Sequence, residues 1–96
     1  MNNKISDFLS VGRDHALPLM DLSARTQLSE RAVQKEILES RLRGELIISS
    51  DEGYYLPSDL DEVREYVIRR KATLKTTAAA LQPFVKALKD GGRLTR

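Results

Sequence analysis

Apolar residues near the start of the chain recur at helical spacing. Ile5, Phe8 and Leu9 lie three and four positions apart, which predicts a short first helix of about two turns. Pro18 suits the start of a second helix, because the first helical position needs no backbone N–H. We expect this second helix to end near Arg25–Thr26. Its apolar stripe consists of Leu19, Met20 and Leu22.

A tight connection and a third helix follow. Leu28 is expected to be a buried anchor in the connection. Ser29 is a typical N-cap, and Glu30 suits the positive end of a helix dipole. Gly44 tolerates left-handed backbone and ends the helix. The expected inner face consists of Ala32, Val33, Ile37 and Ser40.

The pattern changes after Gly44 from helical spacing to two short β-rich runs. Leu46–Ile48 and Tyr54–Leu56 flank the turn-forming residues Ser50–Gly53, and Pro57 ends the second run. Two such runs around a turn that contains glycine predict a β-hairpin. Because Tyr54 and Tyr55 alternate across a strand, one is expected in the core and the other at the surface.

The residue pattern after Pro57 predicts a long helix from residue 58, capped by Ser58 or Asp59. Apolar residues recur in it at every seventh position, although Arg70 and Thr77 interrupt the seam. Pro83 is expected to break or kink the helix, and Gly91–Gly92 to end it. The seven-residue repeat consists of Leu60, Val67, Leu74, Leu81 and Leu88.

This order of helix, helix, tight turn, helix and hairpin resembles the winged helix-turn-helix family. It is closest in pattern to the domains of biotin-operon repressors and of small phage and mobile-element proteins. The matching segments are Leu28–Ile37 for a recognition helix, Arg41–Gly44 for its exit and Gly53–Pro57 for a returning wing strand. The resemblance implies a mainly α protein with a small β-hairpin. Its expected parts are a winged helix-turn-helix at residues 4–57, a long helical tail at 58–90 and a flexible terminus at 91–96.

The resemblance also implies sequence-specific binding of double-stranded DNA. A recognition helix lies in the major groove, where Gln pairs with adenine and Arg or Lys with guanine. The phosphate backbone can be met by a helix start and by side chains of the preceding turn. The expected DNA-binding residues are Arg25, Thr26, Ser29, Arg31, Gln34 and Lys35. The expected role is that of a transcriptional regulator or replication accessory of phage or mobile-element type.

The distribution of charge leaves a second function open. Residues 1–56 contain seven Lys or Arg and nine Asp or Glu, a net charge of −2, whereas residues 57–96 contain nine and five, a net charge of +4. The turn of the expected wing is acidic at Asp51 and Glu52. The alternative is therefore a winged helix that binds other proteins, as an assembly factor or anti-repressor, without direct DNA binding. Arg69–Lys71 and Lys75 form the densest basic patch, either a solvated helix face or a contact to phosphate or an acidic partner.

The tail is expected to pair two copies of the chain. Leu60, Val63 and Val67 can complete the small core, but the later apolar residues lie too far along a helix that rises about 1.5 Å per residue. A second copy related by two-fold symmetry supplies the missing surface, in a short or antiparallel contact. The expected dimerisation residues are Leu74, Leu81, Phe84, Val85 and Leu88.

Nothing in the sequence indicates catalysis. There is no cysteine, no phosphate loop, no zinc signature and no nucleophile motif, and His15 has no partner at ligand spacing. No apolar run approaches the roughly 18 residues of a membrane span, and Met1–Lys4 leads into no signal-peptide core. We expect a cytoplasmic protein that is not an enzyme, without metal, cofactor or small-molecule ligand.

Overall fold

The computed structural model describes residues 4–91. The protein is mainly helical, with a small hairpin and a long C-terminal helix, which confirms the expected fold class. Two single 3-10 turns, Ile5–Phe8 and Arg13–His15, precede the first α-helix. The remaining elements, in chain order, are α1 (Leu19–Thr26), α2 (Glu30–Leu42), β1 (Ile48–Ser50), β2 (Gly53–Tyr55) and α3 (Leu60–Lys89).

The expected first helix is only one 3-10 turn, so the prediction of two helical turns was wrong. Ile5 and Leu9 are nevertheless both buried. The chain is already extended at Leu9, and from Ser10 to Gly12 it follows the end of the hairpin. The Leu56 N–H donates to the Ser10 carbonyl (2.9 Å), and the Gly12 N–H donates to the Leu56 carbonyl (2.8 Å). A tertiary pairing that local spacing does not reveal therefore ends the helix early.

The hairpin is antiparallel, and its register pairs Ile48 with Tyr55 and Ser50 with Gly53. The first strand begins at Ile48 and not at Leu46 as expected. Ile47 is buried but lies before the paired residues. On its other edge β2 is held by Leu17, whose N–H and carbonyl bond to the carbonyl and N–H of Tyr54, both at 2.9 Å. Tyr55 is buried, as expected for one of the two tyrosines. The expected surface position of the other was wrong, because Tyr54 is half-buried and packs against the core cluster.

Gly53 is required where the hairpin meets Leu17. Its φ of +131° lies in a region that L-residues rarely adopt. A Cβ atom at this position would overlap the carbonyl group of Leu17 and lie 2.6 Å from the Pro18 nitrogen. The close approach of these two backbone segments therefore excludes any side chain at residue 53.

One apolar cluster lies between the first turn, α1, α2 and the hairpin. Leu22 and Val33 are completely buried at its centre. Four expected core positions were wrong, because Met20, Leu28, Leu60 and Val67 are all exposed. Met20 and Leu60 lie in the first turns of helices and Leu28 in a connection, and these places need a particular backbone conformation but not a buried side chain. Val67 lies in the stretch 67–91, which contains no buried side chain. The buried members of the cluster are Ile5, Leu9, Leu22, Val33, Ile37 and Ile47.

The third helix, α3, begins with reciprocal capping. The Glu62 N–H donates to the Asp59 carboxylate (2.9 Å), and the Ser58 N–H donates to the Glu62 carboxylate (2.8 Å). The helix continues through Pro83 to Lys89, so no break occurs there, and the alternative of a kink stays a prediction. Gly91 follows with a φ of +83°; Gly92 and residues 93–96, the expected helix stop and terminus, lie outside the described residues.

Backbone contacts divide the chain into two compact units, Met1–Tyr66 and Val67–Arg96. The boundary lies inside α3, so the first turns of this helix belong to the first unit together with the core. The expected division between residues 57 and 58 stays a prediction. Residues 1–66 are called the first unit and residues 67–96 the second unit.

Candidate nucleic-acid interface

The turn between α1 and α2 is held by hydrogen bonds from short side chains. Gln27 closes α1 in the left-handed conformation, with a φ of +60°. The Ser23 hydroxyl donates to the Leu28 carbonyl, and the Thr26 hydroxyl donates to the Leu22 carbonyl (2.7 Å) and accepts from the Leu28 N–H (3.3 Å). These bonds fix where α2 begins relative to α1. Glycine and asparagine are the usual residues in this conformation, so the sequence carried no sign of it at Gln27.

The start of α2 combines a cap with exposed polar groups. The Ser29 hydroxyl accepts a hydrogen bond from the Ala32 N–H (3.1 Å), as the sequence predicts. The same hydroxyl keeps its own hydrogen for an outside acceptor, and Ser29 is exposed. A helix start of this kind favours anions, because its first N–H groups and its dipole both carry positive charge.

One face of α2 is buried and the other is exposed, as expected. Val33, Ile37 and Ser40 are buried, whereas Arg31, Gln34 and Lys35 are exposed. Gln34 and Lys35 follow Arg31 at intervals of three and four positions and are therefore its neighbours on the helix surface. Neither Arg31 nor Lys35 forms an ion pair within residues 4–91, so their charges are available to a partner.

The other two expected contact residues lie on α1. Arg25, in the last turn, is exposed and makes no ion pair with the described residues. Thr26 is half-buried, and its hydroxyl is already bonded within the turn. The structure thus gives Thr26 a role in shaping the turn, and its contact with phosphate stays a prediction. Five of the six expected residues present exposed side chains: Arg25, Ser29, Arg31, Gln34 and Lys35.

The exposed face of α2 continues into leucines that were not among the expected DNA-binding residues. Leu38 and Leu42 follow Gln34 at intervals of four and are both exposed, and Leu46 beyond the helix is exposed as well. The sequence contained a signal for them, because apolar residues occupy positions that the helical pattern places on the outer face. The face is therefore polar in its first half and apolar in its second.

The acidic turn of the hairpin is partly neutralised. The Arg13 Nε atom lies 3.0 Å from the Glu52 Oε1 atom. The hydrogen bond from this guanidinium lowers the pKa of the Glu52 carboxyl, and the same bond raises the pKa of Arg13. Asp51 is exposed and has no ion pair among the described residues. The hairpin tip thus presents one unbalanced negative charge.

Arg41 joins the end of α2 to the first turns of α3. Its Nε atom donates to the Ile47 carbonyl (2.9 Å), and its guanidinium lies 5.6 Å from the centre of the Tyr66 ring. Its buried Nη2 atom has no hydrogen-bond partner among the described residues. Arg41 is therefore a structural residue in the segment that resembles the exit of a recognition helix.

The expected dimerisation residues are exposed on the second unit. Their side chains are between 39% and 77% exposed. They are Leu74, Leu81, Phe84, Val85 and Leu88, and helical periodicity places them on one side of α3. An apolar stripe of this size is the kind of surface that a partner covers.

Within residues 4–91, no group of three or more His, Asp or Glu side chains is placed to hold a metal ion. No helix in that part of the chain combines the length and apolar character needed to cross a bilayer. Comparison with protein-family models, with curated proteins and with solved structures finds no match for this chain.

Proposed function

We propose that this chain is a sequence-specific double-stranded DNA-binding protein of the winged helix-turn-helix type. The observation that carries the proposal is the exposed polar face of α2, whose opposite face is buried against α1 and the first turn. The short hydrogen-bonded turn holds α2 rigidly, which is what a base-reading helix requires. We further propose that it acts in the cytoplasm as a transcriptional regulator or replication accessory of phage or mobile-element type.

Several exposed residues in and beside α2 have contacts to DNA that suit their chemistry. Gln34 can pair with the two groups that adenine shows in the major groove, and Arg31 with the two acceptors of guanine. Leu38, one turn further on, suits the methyl group of thymine. Ser29 and Arg25 suit phosphates at the groove edge, where contacts set the position of the protein but carry no sequence information.

The second part of the proposal is a homodimer formed through the second unit. The apolar stripe of α3 needs a covering surface, and a second copy offers the same stripe by two-fold symmetry. Arg70 would meet its own copy in a parallel pair in register, so an antiparallel or short contact is favoured. Two copies can present two recognition helices to half-sites separated by about 34 Å.

Selection from a random duplex library tests the DNA part. We expect a preferred site, from which Gln34→Ala loses about 1–3 kcal/mol with relaxed choice at one base position. Arg25→Ala should weaken binding to all sequences alike. The matched control is Gln82→Ala, which removes an exposed glutamine from α3 and should leave the preference unchanged. Failure of the full chain to bind any duplex at low salt would contradict the proposal.

Solution mass tests the dimer. We expect the unaltered chain to be a dimer at tens of micromolar, and Leu74→Asp/Leu81→Asp to be a monomer. Ala72→Asp/Ala79→Asp places the same charges seven residues apart on a different side of α3 and should remain dimeric. A monomeric unaltered chain would rule out the dimer, and a dimeric leucine variant would place the contact elsewhere.

A protein-binding role without DNA is the second candidate. Two observations favour it: Leu38 and Leu42 are exposed on α2, and the first unit carries eight basic against thirteen acidic residues, a net charge of −5. Exposed leucines on a helix suit a protein groove at least as well as a DNA groove. In this case Leu42→Ser would abolish partner binding, and duplex binding would be absent from the unaltered chain as well.

A further inference from the structure

The two units have opposite charges. The second unit contains eight basic residues and one acidic residue, a net charge of +7, against −5 for the first. Between Val67 and Lys89 there are six basic residues and no acidic one. The affinity of a protein for a polyanion increases with the number of basic residues that can neutralise phosphates. In this chain more of the uncompensated basic residues belong to the second unit than to the face of α2.

Four lysines of the second unit form one ridge, which we call the lysine ridge: Lys71, Lys75, Lys86 and Lys89. At 100° per residue all four lie within about 60° of one another around α3, along about 27 Å of its axis. All four are exposed. None forms an ion pair or hydrogen bond within the described part of the chain, so their charges are not compensated there.

The lysine ridge borders the apolar stripe and meets it at Val85. In the seven-residue repeat that begins at Leu60, the leucines and Phe84 of the stripe occupy the first and fourth positions, and the four lysines occupy the second, fifth and sixth. Val85 shares the fifth position with Lys71. Pairing of two helices through the first and fourth positions therefore leaves most of the lysine ridge exposed to solvent. One helix can be paired and bind an anion at the same time.

We propose that the lysine ridge binds the phosphate backbone of duplex DNA. This inference rests on the proposed DNA-binding function and adds α3 to Arg25 and Ser29 as a source of its sequence-independent affinity. A duplex carries one negative charge for about every 1.7 Å of its axis, so a straight row of lysines along about 27 Å suits it. Lysine binds phosphate as a point charge without the fixed geometry that base recognition uses.

An anionic membrane is a weaker match to the same helix. A helix that lies in a bilayer surface inserts its apolar face among the lipids. In this protein that face is the one assigned to the second copy, and insertion would compete with pairing. The phosphate backbone of DNA requires only the lysines.

The test measures binding of the full chain to a random 30-base-pair duplex over a series of salt concentrations. The ridge variant is Lys71→Gln/Lys75→Gln/Lys86→Gln/Lys89→Gln, in which glutamine preserves helix propensity. For each lysine that contacts a phosphate, the slope of log K against log salt should become shallower by about 0.9. The matched control carries Arg at the same four positions, keeps the charge and should keep the slope of the unaltered chain.

Three results would overturn the inference. The first is an unchanged salt slope in the ridge variant. The second is loss of binding to vesicles of anionic phospholipid in that variant with duplex binding intact. The third is a lower solution mass at low salt for the ridge variant than for the unaltered chain. Such a decrease would show that the four lysines pair with the acidic first unit of another copy.

The inference and the function on which it rests fail separately. Base preference is tested with the variant Arg31→Ala/Gln34→Ala. This variant should lose its preference for the selected site, while its slope of log K against log salt on random duplex should change little. A chain without base preference but with a lysine-dependent slope would refute base reading by α2 and support the ridge. A chain with base preference and a slope independent of the four lysines would refute the ridge alone.

Discussion

The two units of this chain use their apolar residues in different ways. All the buried side chains among residues 4–91 belong to the first unit, and the stretch 67–91 contains none. Leu22 and Leu74 have the same side chain, yet Leu22 is 0% exposed and Leu74 is 61% exposed. The first unit therefore buries an apolar core within itself, whereas the large apolar side chains of residues 67–91 stay exposed. Apolar spacing alone does not distinguish these two situations.

The largest effect is expected from a direct test of that difference. Leu22→Ala should lower the free energy of unfolding by about 3 kcal/mol, since it leaves a cavity in a packed core. Leu74→Ala, the same change in the second unit, should cost less than about 0.5 kcal/mol in a dilute monomer. Urea unfolding at two protein concentrations measures both. Under the dimer proposal the cost of Leu74→Ala grows with concentration, and a cost equal to that of Leu22→Ala at every concentration would contradict the comparison.

The next effect concerns the backbone approach at the hairpin. Gly53→Ala should cost at least about 2 kcal/mol, because it combines an unfavourable φ with a collision against Leu17. Gly44→Ala is the matched control, since Gly44 has a φ of +97° but no atom within 4 Å of an added Cβ. Thermal unfolding should show a clearly smaller decrease in Tm for Gly44→Ala than for Gly53→Ala. Equal losses would mean that backbone conformation alone, and not the close approach, sets the cost.

A smaller effect is expected at the helix caps. Ser29→Ala removes the acceptor for the Ala32 N–H and should cost about 1 kcal/mol. Asp59→Ala should cost a similar amount at the start of α3, where Asp59 accepts from the Glu62 N–H. Ser58→Ala is the control, because only the backbone of Ser58 bonds to Glu62. A loss for Ser58→Ala as large as that for Asp59→Ala would show that the cap has been assigned to the wrong residue.

The smallest effect is expected from the exposed pair of Arg13 and Glu52. The folded protein lowers the pKa of Glu52, so this pair stabilises the fold above the ordinary pKa of a glutamate. The contribution is lost as the pH falls through the lowered pKa, and Arg13 stays charged throughout that range. Glu52→Gln should flatten this part of the pH dependence of unfolding, while Asp51→Asn should not. An identical pH profile for Glu52→Gln and the unaltered chain would show that the pair contributes nothing.

The three α-helices, the hairpin and the polar face of α2 were predictable from local sequence. The N-cap at Ser29, the stop at Gly44 and the turn before Gly53 each depend on the chemistry of one or two residues. Helical spacing also separated the buried Val33 and Ile37 from the exposed Arg31 and Gln34, because a period of 3.6 residues fixes which side chains share a face. These features need no knowledge of distant contacts.

Distant contacts decided the rest. The first helix is cut short because residues 10–12 pair with Leu56, more than forty positions away. Thr26 is bonded within its turn, and Leu28 is exposed, because the path of the backbone between α1 and α2 places them so. The sequence determined which faces exist on each helix, since periodicity is local. Only the tertiary structure decided which of those faces are covered, since burial depends on what else the chain brings to the same place.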